Sequence, residues 1–196
     1  ATSEIYHASP PSLELMQSTV AIVGMGGVGT ALALLCRALG MAVLGITRDE
    51  TQKSDAVDEQ VSFNRFHEAI KIADYVVLAT PSTDLTRGMM GAAEFEMMQK
   101  HACLINVARG DLVDEDALYE ALKKGKIGGA ACDVFQMEPL SRWSKLYKAP
   151  NMIITPHISG WSTMYWPRTM ARFVLNLDLY QKGDSLLGEM DLEKGY

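Results

Sequence analysis

The chain has 196 residues, and its 18 lysines and arginines stand against 24 aspartates and glutamates, which gives a formal net charge of −6. This acidic balance argues against a general polyanion binder, so no nucleic-acid partner is expected. Hydrophobic residues make up 48% and charged residues 21% of the chain, which excludes a disordered tail. The cysteines Cys36, Cys103 and Cys132 lie far apart in apolar stretches. This favours buried free thiols in a reducing compartment; we expect the cytoplasm, and leave import into an organelle open.

Apolar runs alternate with helical patterns along most of the chain, and this predicts three parts. Residues 1–12 form a polar lead-in, residues 13–161 a domain, and residues 162–196 a C-terminal helix and return segment. The predicted strands are Val20–Val23, Ala42–Ile46, Tyr75–Ala79, Cys103–Val107, Ala130–Cys132 and Met152–Ile154, and the predicted helices are Ala31–Leu39, Glu115–Lys124 and roughly Thr163–Lys182. Strands this continuously apolar are typical of a parallel sheet covered on both faces. The alternation with helices predicts an α/β, Rossmann-type doubly wound sheet.

One apolar run, Val20–Cys36, is a candidate membrane span. It contains several glycines and is followed directly by Arg37, so a strand, turn and helix explain it better. Residues 1–19 have neither the basic start nor the apolar stretch of a signal peptide. We therefore expect no membrane partner.

The last two predicted helices show two different features, a capping residue in the first and an apolar stripe in the second. Asp114 is placed to cap the helix that begins at Glu115. The last helix carries a single apolar stripe, which at this spacing favours core packing or a subunit contact over a ligand site. The stripe consists of Trp166, Met170, Phe173, Val174 and Leu177.

A glycine-rich turn joins the first predicted strand to the first predicted helix. Its sequence, Gly-Met-Gly-Gly-Val-Gly, matches the pattern of a dinucleotide-binding loop in the expected strand–turn–helix context. Gly24 permits the tight turn, Gly26 allows the backbone to approach a pyrophosphate, and Gly29 lets the helix pack against the sheet. The start of the helix offers free amides to the anion. We predict cofactor contacts at Gly24, Gly26, Gly27, Val28 and Gly29; the alternative is a glycine-rich turn that binds no ligand.

The end of the second strand bears on the choice of cofactor. An acidic residue here hydrogen-bonds the adenosine ribose of NAD in this fold, but the position is Thr47 and the next residue is Arg48. An arginine pairs well with the 2′-phosphate of NADP, so we predict that NADP is preferred over NAD. The alternative is that Asp49 or Glu50 turns inward and serves NAD.

Three chemically suited side chains follow predicted strands: Arg109, Glu138 and His157. In open α/β sheets ligands bind beyond the carboxyl ends of the strands, so the three side chains are placed to converge. Arginine binds a carboxylate, histidine donates a proton near neutral pH, and a nearby carboxylate favours the protonated imidazole. Each residue taken alone has an equally good structural explanation, and spacing alone does not decide.

The ordered set of motifs resembles the coenzyme-binding domain of the D-isomer-specific 2-hydroxyacid dehydrogenases, from about Leu13 to Gly160. Within the family the pattern is most similar to glyoxylate/hydroxypyruvate reductases. The matching segments are 20–29, Thr-Pro-Ser-Thr-Asp-Leu-Thr-Arg-Gly at 80–88, Ile-Asn-Val-Ala-Arg-Gly at 105–110, Leu-Val-Asp-Glu at 112–115, Asp-Val-Phe at 133–135, Glu-Pro-Leu at 138–140 and Thr-Pro-His at 155–157.

The resemblance implies a 2-oxo acid reductase that transfers a hydride from NADP or NAD. Arg109 would bind the substrate carboxylate and polarise its carbonyl, and His157, oriented by Glu138, would donate the proton. Asp133 would hydrogen-bond the nicotinamide carboxamide, and Trp161 would border the substrate pocket. Further cofactor contacts are implied at Thr80, Pro81, Thr86, Val107, Ala108, Ser159 and Gly160, and no metal is expected.

The family's second, substrate-binding domain is mostly lacking in this sequence. Only about a dozen residues precede Leu13, whereas such a domain needs at least ~50. We therefore expect an excised or truncated coenzyme domain, one that binds cofactor but turns over poorly or not at all; the alternative is a naturally short protein. The alternative function is a cofactor-binding sensor or regulatory module without turnover. The resemblance also suggests a homodimer, for which the methionine-rich segment 89–98 offers apolar surface, although the segment suits the core equally well.

Overall fold

The computed structural model describes residues 14–48 and 54–189. The predicted lead-in over residues 1–12, the alternative NAD ligands Asp49 and Glu50, and the end of the predicted return segment at 190–196 lie outside the described residues. The predicted division into three parts at 12/13 and 161/162 stays a prediction.

The described residues form one seven-stranded parallel sheet with helices packed on it. The strands are β1 (Thr19–Val23), β2 (Ala42–Thr47), β3 (Glu59–Ser62), β4 (Tyr75–Leu78), β5 (Cys103–Asn106), β6 (Gly129–Cys132) and β7 (Met152–Ile154); the helices are α1 (Gly27–Ala38), α2 (Phe66–Ile72), α3 (Ala92–Met97), α4 (Glu115–Lys123) and α5 (Tyr165–Lys182). The strand order is β3-β2-β1-β4-β5-β6-β7. The direction of winding reverses between β1 and β4, which is where ligands bind in such sheets. The predicted Rossmann-type fold is confirmed.

Three elements were not predicted from the sequence: β3, α2 and α3. Of the four residues of β3 only Val61 is buried, so this edge strand lacks the apolar run that marks the others. The helices α2 and α3 are only 7 and 6 residues long, too short for a clear helical period. The first helix begins at Gly27 rather than at the predicted Ala31, so the glycine turn itself forms the helix N-terminus.

The two faces of the sheet are covered unequally. The helices α2, α3 and α4 pack on one face, with a core around Val76 and Leu104. On the other face α1 covers β1 and β2. Across β4 to β7 on that second face, Val77, Ile105, Ala131 and Ile153 align in register, and Ile153 is 65% exposed. The expectation of two covered faces is therefore met only in part by residues 14–48 and 54–189.

The helix α5 is exposed along its whole length, and none of its residues is buried. The interpretation of its apolar stripe as part of the core is therefore wrong for the described structure. Trp166, Met170 and Phe173 are 66%, 52% and 59% exposed, because α5 leaves the sheet after β7 instead of returning to it. A subunit contact stays a prediction.

Other sequence expectations can be compared directly with the structure. The carboxylate of Asp114 accepts hydrogen bonds from the first amides of α4, as predicted. Cys36 and Cys132 are buried and Cys103 is half-buried, and all three are free thiols. In the methionine-rich segment, Met90 and Met98 are buried, so this segment belongs to the core. No helix in the described ranges has the length and apolar character needed to cross a membrane.

Candidate cofactor and catalytic site

The glycine turn between β1 and α1 requires glycine at two positions and leaves space at two others. Gly24 has φ +98°, and a Cβ added there would lie 2.6 Å from the Ala79 carbonyl oxygen. A Cβ added at Gly29 would lie 1.9 Å from the Gly24 carbonyl oxygen. By contrast, no described atom lies within 4 Å of a Cβ built at Gly26 or Gly27. The turn is therefore tight on its inner side and open on its outer side, where a ligand would approach.

The N-terminus of α1 presents backbone amides at this open side. The first amides of a helix have no intrahelical acceptor, and the helix dipole adds positive potential. The first turn of α1 has no acidic residue, and no side chain in the described ranges caps it. Together with the open space at Gly26 and Gly27, this arrangement fits the pyrophosphate of a dinucleotide.

A cavity of about 750 Å³ adjoins this turn. It is an open groove walled largely by apolar side chains of β1, β4, β5 and α1, and it extends from Val28 to Leu39 and Met41, away from the carboxyl ends of the strands. Of the predicted site residues, it brings together Val28, Val107, His157, Ser159 and Gly160, and Trp161 also lines it. The described residues that line it do not include the other predicted ones: Gly24, Gly26, Gly27, Gly29, Thr47, Arg48, Thr80, Pro81, Thr86, Ala108, Arg109, Asp133 and Glu138.

His157 and Glu138 form a hydrogen-bonded pair beside this cavity. Nδ1 of His157 lies 2.6 Å from Oε2 of Glu138, and Oε1 of Glu138 accepts a hydrogen bond from the Phe135 amide at 3.0 Å. The bond to His157, followed by the bond from the Phe135 amide, lowers the pKa of Glu138 below its ordinary value. His157 itself has φ +55°, a backbone conformation that is costly for a non-glycine residue and tends to occur at functional sites.

Asp133 orders the loop that carries His157. Its carboxylate is buried and accepts hydrogen bonds from the Thr155 hydroxyl at 2.5 Å and from the amides of Ile158 and Ser159 at 2.9 Å each. Its backbone oxygen accepts the His157 amide at 2.7 Å. Burial alone would raise the pKa of Asp133, but these hydrogen bonds outweigh it and hold that pKa well below its ordinary range. No sequence pattern predicted this role, and the predicted contact of Asp133 with the nicotinamide stays a prediction.

A second ordering residue, Asn106, holds the loop that carries Arg109. The Asn106 side chain is buried; its Oδ1 accepts the Ala108 amide at 3.1 Å and its Nδ2 donates to the Arg109 carbonyl at 2.9 Å. The exposed Arg109 guanidinium donates to the Ala108 carbonyl at 2.7 Å. Gly110 lies against the next loop, since a Cβ there would be 1.8 Å from the Phe135 carbonyl carbon. The Arg109 loop is thereby packed on the segment that leads to Glu138.

The remaining predicted cofactor residues lie on the same edge of the sheet. Thr47 ends β2 and Arg48 follows it, while Thr80 and Pro81 follow β4. The Thr86 hydroxyl is buried; it accepts the Thr83 amide and donates to the Pro81 carbonyl, each at 2.8 Å, so it orders the loop after β4. Among residues 14–48 and 54–189, no cluster of three His, Cys, Asp or Glu side chains is placed to hold a metal ion.

Comparison with known proteins places this geometry in a family. Residues 2–159 match the family model described as D-isomer specific 2-hydroxyacid dehydrogenase, NAD binding domain. A glyoxylate reductase of Thermococcus gammatolerans is 39% identical over 168 residues, which cover 85% of this chain and 49% of that protein. The chain spans about half the length of the first curated relatives it matches.

Two solved structures show the same backbone arrangement. A D-isomer specific 2-hydroxyacid dehydrogenase from Xanthobacter autotrophicus, in complex with NADPH and MES, superposes with a TM-score of 0.86 at 32% identity, covering 97% of this chain and 77% of that one. An NADPH-dependent glyoxylate/hydroxypyruvate reductase from Sinorhizobium meliloti, in complex with NADP and sulfate, gives 0.87 at 29% identity, covering 96% and 60%. The chain therefore belongs to the D-isomer specific 2-hydroxyacid dehydrogenases, of which it contains the NAD-binding Rossmann domain.

Proposed function

We propose that this chain is the coenzyme-binding part of an oxidoreductase that reduces a small 2-oxo acid, such as glyoxylate or hydroxypyruvate, to the D-2-hydroxy acid. The observation that carries the proposal is the 2.6 Å pair of His157 and Glu138, of which His157 lines the same cavity as Val28 in the first turn of α1. A histidine paired with a carboxylate can transfer a proton, and a dinucleotide bound beside it can supply a hydride. Relatives named glyoxylate reductase support the substrate class.

The cofactor would be held at the turn between β1 and α1. The amides at Gly26, Gly27 and Val28 would bind its pyrophosphate, while Gly24 and Gly29 keep the helix close to the sheet. Arg48, at the end of β2 with Thr47, would pair with a 2′-phosphate, so NADP is preferred and NAD is the second choice. When bound, the nicotinamide supplies the hydride.

His157 would move the proton. Its Nδ1 is engaged by Glu138, so the proton given to the substrate carbonyl oxygen is carried on Nε2. The lowered pKa of Glu138 keeps this carboxylate ionised at neutral pH, and its bond to Nδ1 fixes the orientation of the imidazole ring. In the reverse direction His157 acts as the base.

The other predicted residues would bind and position the ligands. The exposed guanidinium of Arg109 would take the substrate carboxylate, with the bidentate geometry that arginine offers. Ser159 and Gly160 would lie beside the nicotinamide ring, and Asp133 would contact its carboxamide through a carboxylate oxygen that also holds the loop. Cofactor contacts at Thr80, Pro81, Thr86, Val107 and Ala108 complete the proposal.

Full turnover would need a substrate-binding domain, since closure of a second domain excludes water and completes the pocket. Assayed as a separate piece, these 196 residues are therefore proposed to bind cofactor and to turn over slowly. We further propose that it works in the cytoplasm as a homodimer. The exposed surface of α5 supports the dimer, because four residues of its stripe and the following Tyr180 repeat at alternating spacings of four and three, as in paired helices: Trp166, Met170, Phe173, Leu177 and Tyr180.

The test is a calorimetric titration of the chain with NADPH and NADH, followed by NADPH oxidation with glyoxylate. Tighter binding of NADPH and a slow, glyoxylate-dependent oxidation that His157→Gln abolishes are expected. Absence of cofactor binding would overturn the proposal. Cofactor binding that changes the oligomeric state, with no oxidation at any glyoxylate concentration, would instead support the sensor module.

A further inference from the structure

Two loops must keep a fixed distance if one binds cofactor and the other binds substrate. The loop over residues 80–88 follows β4, and the loop over residues 107–112 follows β5. Each loop is ordered by the hydrogen bonds of one side chain to its backbone: Thr86 in the first loop and Asn106 in the second. Neither of these side chains joins one loop to the other by a hydrogen bond found in the described residues.

Asp111 joins them. It lies two residues after Arg109, in the 3-10 turn Gly110–Leu112. Its Oδ2 accepts a hydrogen bond from the Ser82 hydroxyl at 2.6 Å and another from Nε of Arg87 at 3.3 Å. Its backbone oxygen accepts the Gly88 amide at 2.8 Å. One residue therefore holds the loop after β4 at three points.

The contacts of Asp111 contribute little to the stability of the fold, which suggests that they serve to fix the relative position of the two loops. The ion pair of Asp111 with Arg87 is exposed, with side chains 38% and 60% accessible, and such pairs contribute little to folding. The other oxygen, Oδ1, is buried and has no hydrogen-bond partner in the described part of the chain. Leaving a buried carboxylate oxygen unpaired is costly, so this aspartate adds little net stability to the turn.

We propose that Asp111 is a positioning residue that holds the substrate-binding Arg109 in register with the cofactor loop at Pro81. This inference rests on the proposed function of Arg109. Because the glycine turn, where the pyrophosphate would bind, is not part of the linkage, cofactor affinity should depend on Asp111 less strongly than substrate affinity does. Affinity for a 2-oxo acid in the presence of cofactor depends on Asp111, since it requires both loops at the correct distance.

The first test is amide hydrogen exchange on the 196-residue chain, comparing Asp111→Ala with Asp114→Ala, a matched loss of a carboxylate three residues away. Asp111→Ala is expected to speed exchange at Gly88 by about tenfold while the amide of Ala108, inside the second loop, changes less than about twofold. Asp114→Ala should speed exchange only at the start of α4. Unchanged exchange at Gly88 in Asp111→Ala overturns the proposal.

The second test uses oxamate, an unreactive analogue of a 2-oxo acid, titrated in the presence of saturating NADPH. Asp111→Ala is expected to weaken oxamate binding by about tenfold, as misplacement of a binding group by a fraction of an ångström does, and to weaken NADPH binding by a smaller factor. Asp111→Asn, which keeps an oxygen acceptor for Ser82, should restore part of the loss. Equal oxamate affinity in Asp111→Ala and wild type overturns the inference. A wild-type chain that binds neither ligand overturns the proposed function instead, and the exchange result still decides whether Asp111 ties the loops.

Discussion

Two glycines of the same turn should respond in opposite ways to the same added methyl group. In Gly29→Ala the new Cβ would lie 1.9 Å from the Gly24 carbonyl oxygen, a backbone atom that cannot rotate away. In Gly26→Ala the new Cβ would meet no described atom within 4 Å. We therefore expect Gly29→Ala to damage the fold and Gly26→Ala to damage cofactor binding.

The magnitudes follow from the local geometry. Overpacking a tight contact typically costs about 1–3 kcal/mol, and Gly29→Ala should reach the upper end because α1 must move away from β1. Gly26 has φ −77° and ψ −161°, an extended conformation that alanine also adopts. Losing the glycine preference at the N-cap costs roughly 0.5 kcal/mol, which the smaller entropy of the unfolded chain, about 0.4–1 kcal/mol, offsets. The stability of Gly26→Ala should therefore stay within about 0.5 kcal/mol of the wild type.

The effect on binding arises from the same open space. The methyl group of Gly26→Ala would stand between the backbone and a pyrophosphate that has to approach it closely. A loss of at least about tenfold in NADPH affinity, or ~1.4 kcal/mol, is expected. Urea unfolding and calorimetric titration on both variants make the comparison. Wild-type affinity in Gly26→Ala would refute the placement of the pyrophosphate, and a loss of stability equal to that of Gly29→Ala would refute the assignment of open space.

Four further outcomes are expected. Glu138→Gln replaces the carboxylate that holds Nδ1 of His157 at 2.6 Å, so glyoxylate reduction should slow by about tenfold or more while NADPH affinity stays unchanged; a wild-type rate would contradict the pair. Arg48→Ala should weaken NADPH binding by about tenfold or more, because hydrogen bonds to charged groups contribute ~1.5–3 kcal/mol, and should leave NADH binding unchanged in parallel titrations. The folded-state pKa of Asp133 lies below its unfolded value, so its contribution to stability is complete above about pH 4 and is lost as the pH falls further; urea unfolding of Asp133→Asn should show a weaker acid dependence than the wild type. Phe173→Glu, at the centre of the exposed stripe of α5, should convert a dimer into a monomer by light scattering with no change in NADPH affinity.

The parts of the fold that could be predicted are those in which one local signal is enough. Central strands such as β1 and β4 are apolar on both faces, because both faces are buried, and the sequence therefore marks them without reference to neighbours. The edge strand β3 has a single buried residue, Val61, and derives its strand conformation from pairing with β2. Pairing with β2 is a tertiary contact, so the sequence of β3 contains no apolar run from which the strand could be predicted.

The residues of the candidate site also differ in whether the local sequence was enough to predict them. The turn at Gly24–Gly29 could be predicted because its motif lies between a strand and a helix. The pair of Glu138 and His157 was implied by the family resemblance, since spacing alone did not decide it. The ordering role of Asp133 could not, since its carboxylate partners Ile158 and Ser159 lie 25 and 26 residues away and meet it only after β7 pairs with β6. The role of Asn106 did leave a local signal: an asparagine whose side chain accepts an amide two residues later is a common turn device.

Because the two faces of the sheet are covered unequally, the cofactor-binding half of the site should be more stable than the half that carries His157. The cofactor half lies at the end of β1 and is fixed by α1, whose residues Ala33 and Cys36 are buried against the sheet. The His157 loop follows β7, an edge strand whose Ile153 is 65% exposed on the face that α1 does not reach. Buried apolar contacts set the cost of local opening, so the His157 loop should open at lower denaturant than the glycine turn. Cofactor binding is therefore the property that should persist when chemistry is lost, and amide exchange at Ile158 against Thr30 in mild urea measures the difference.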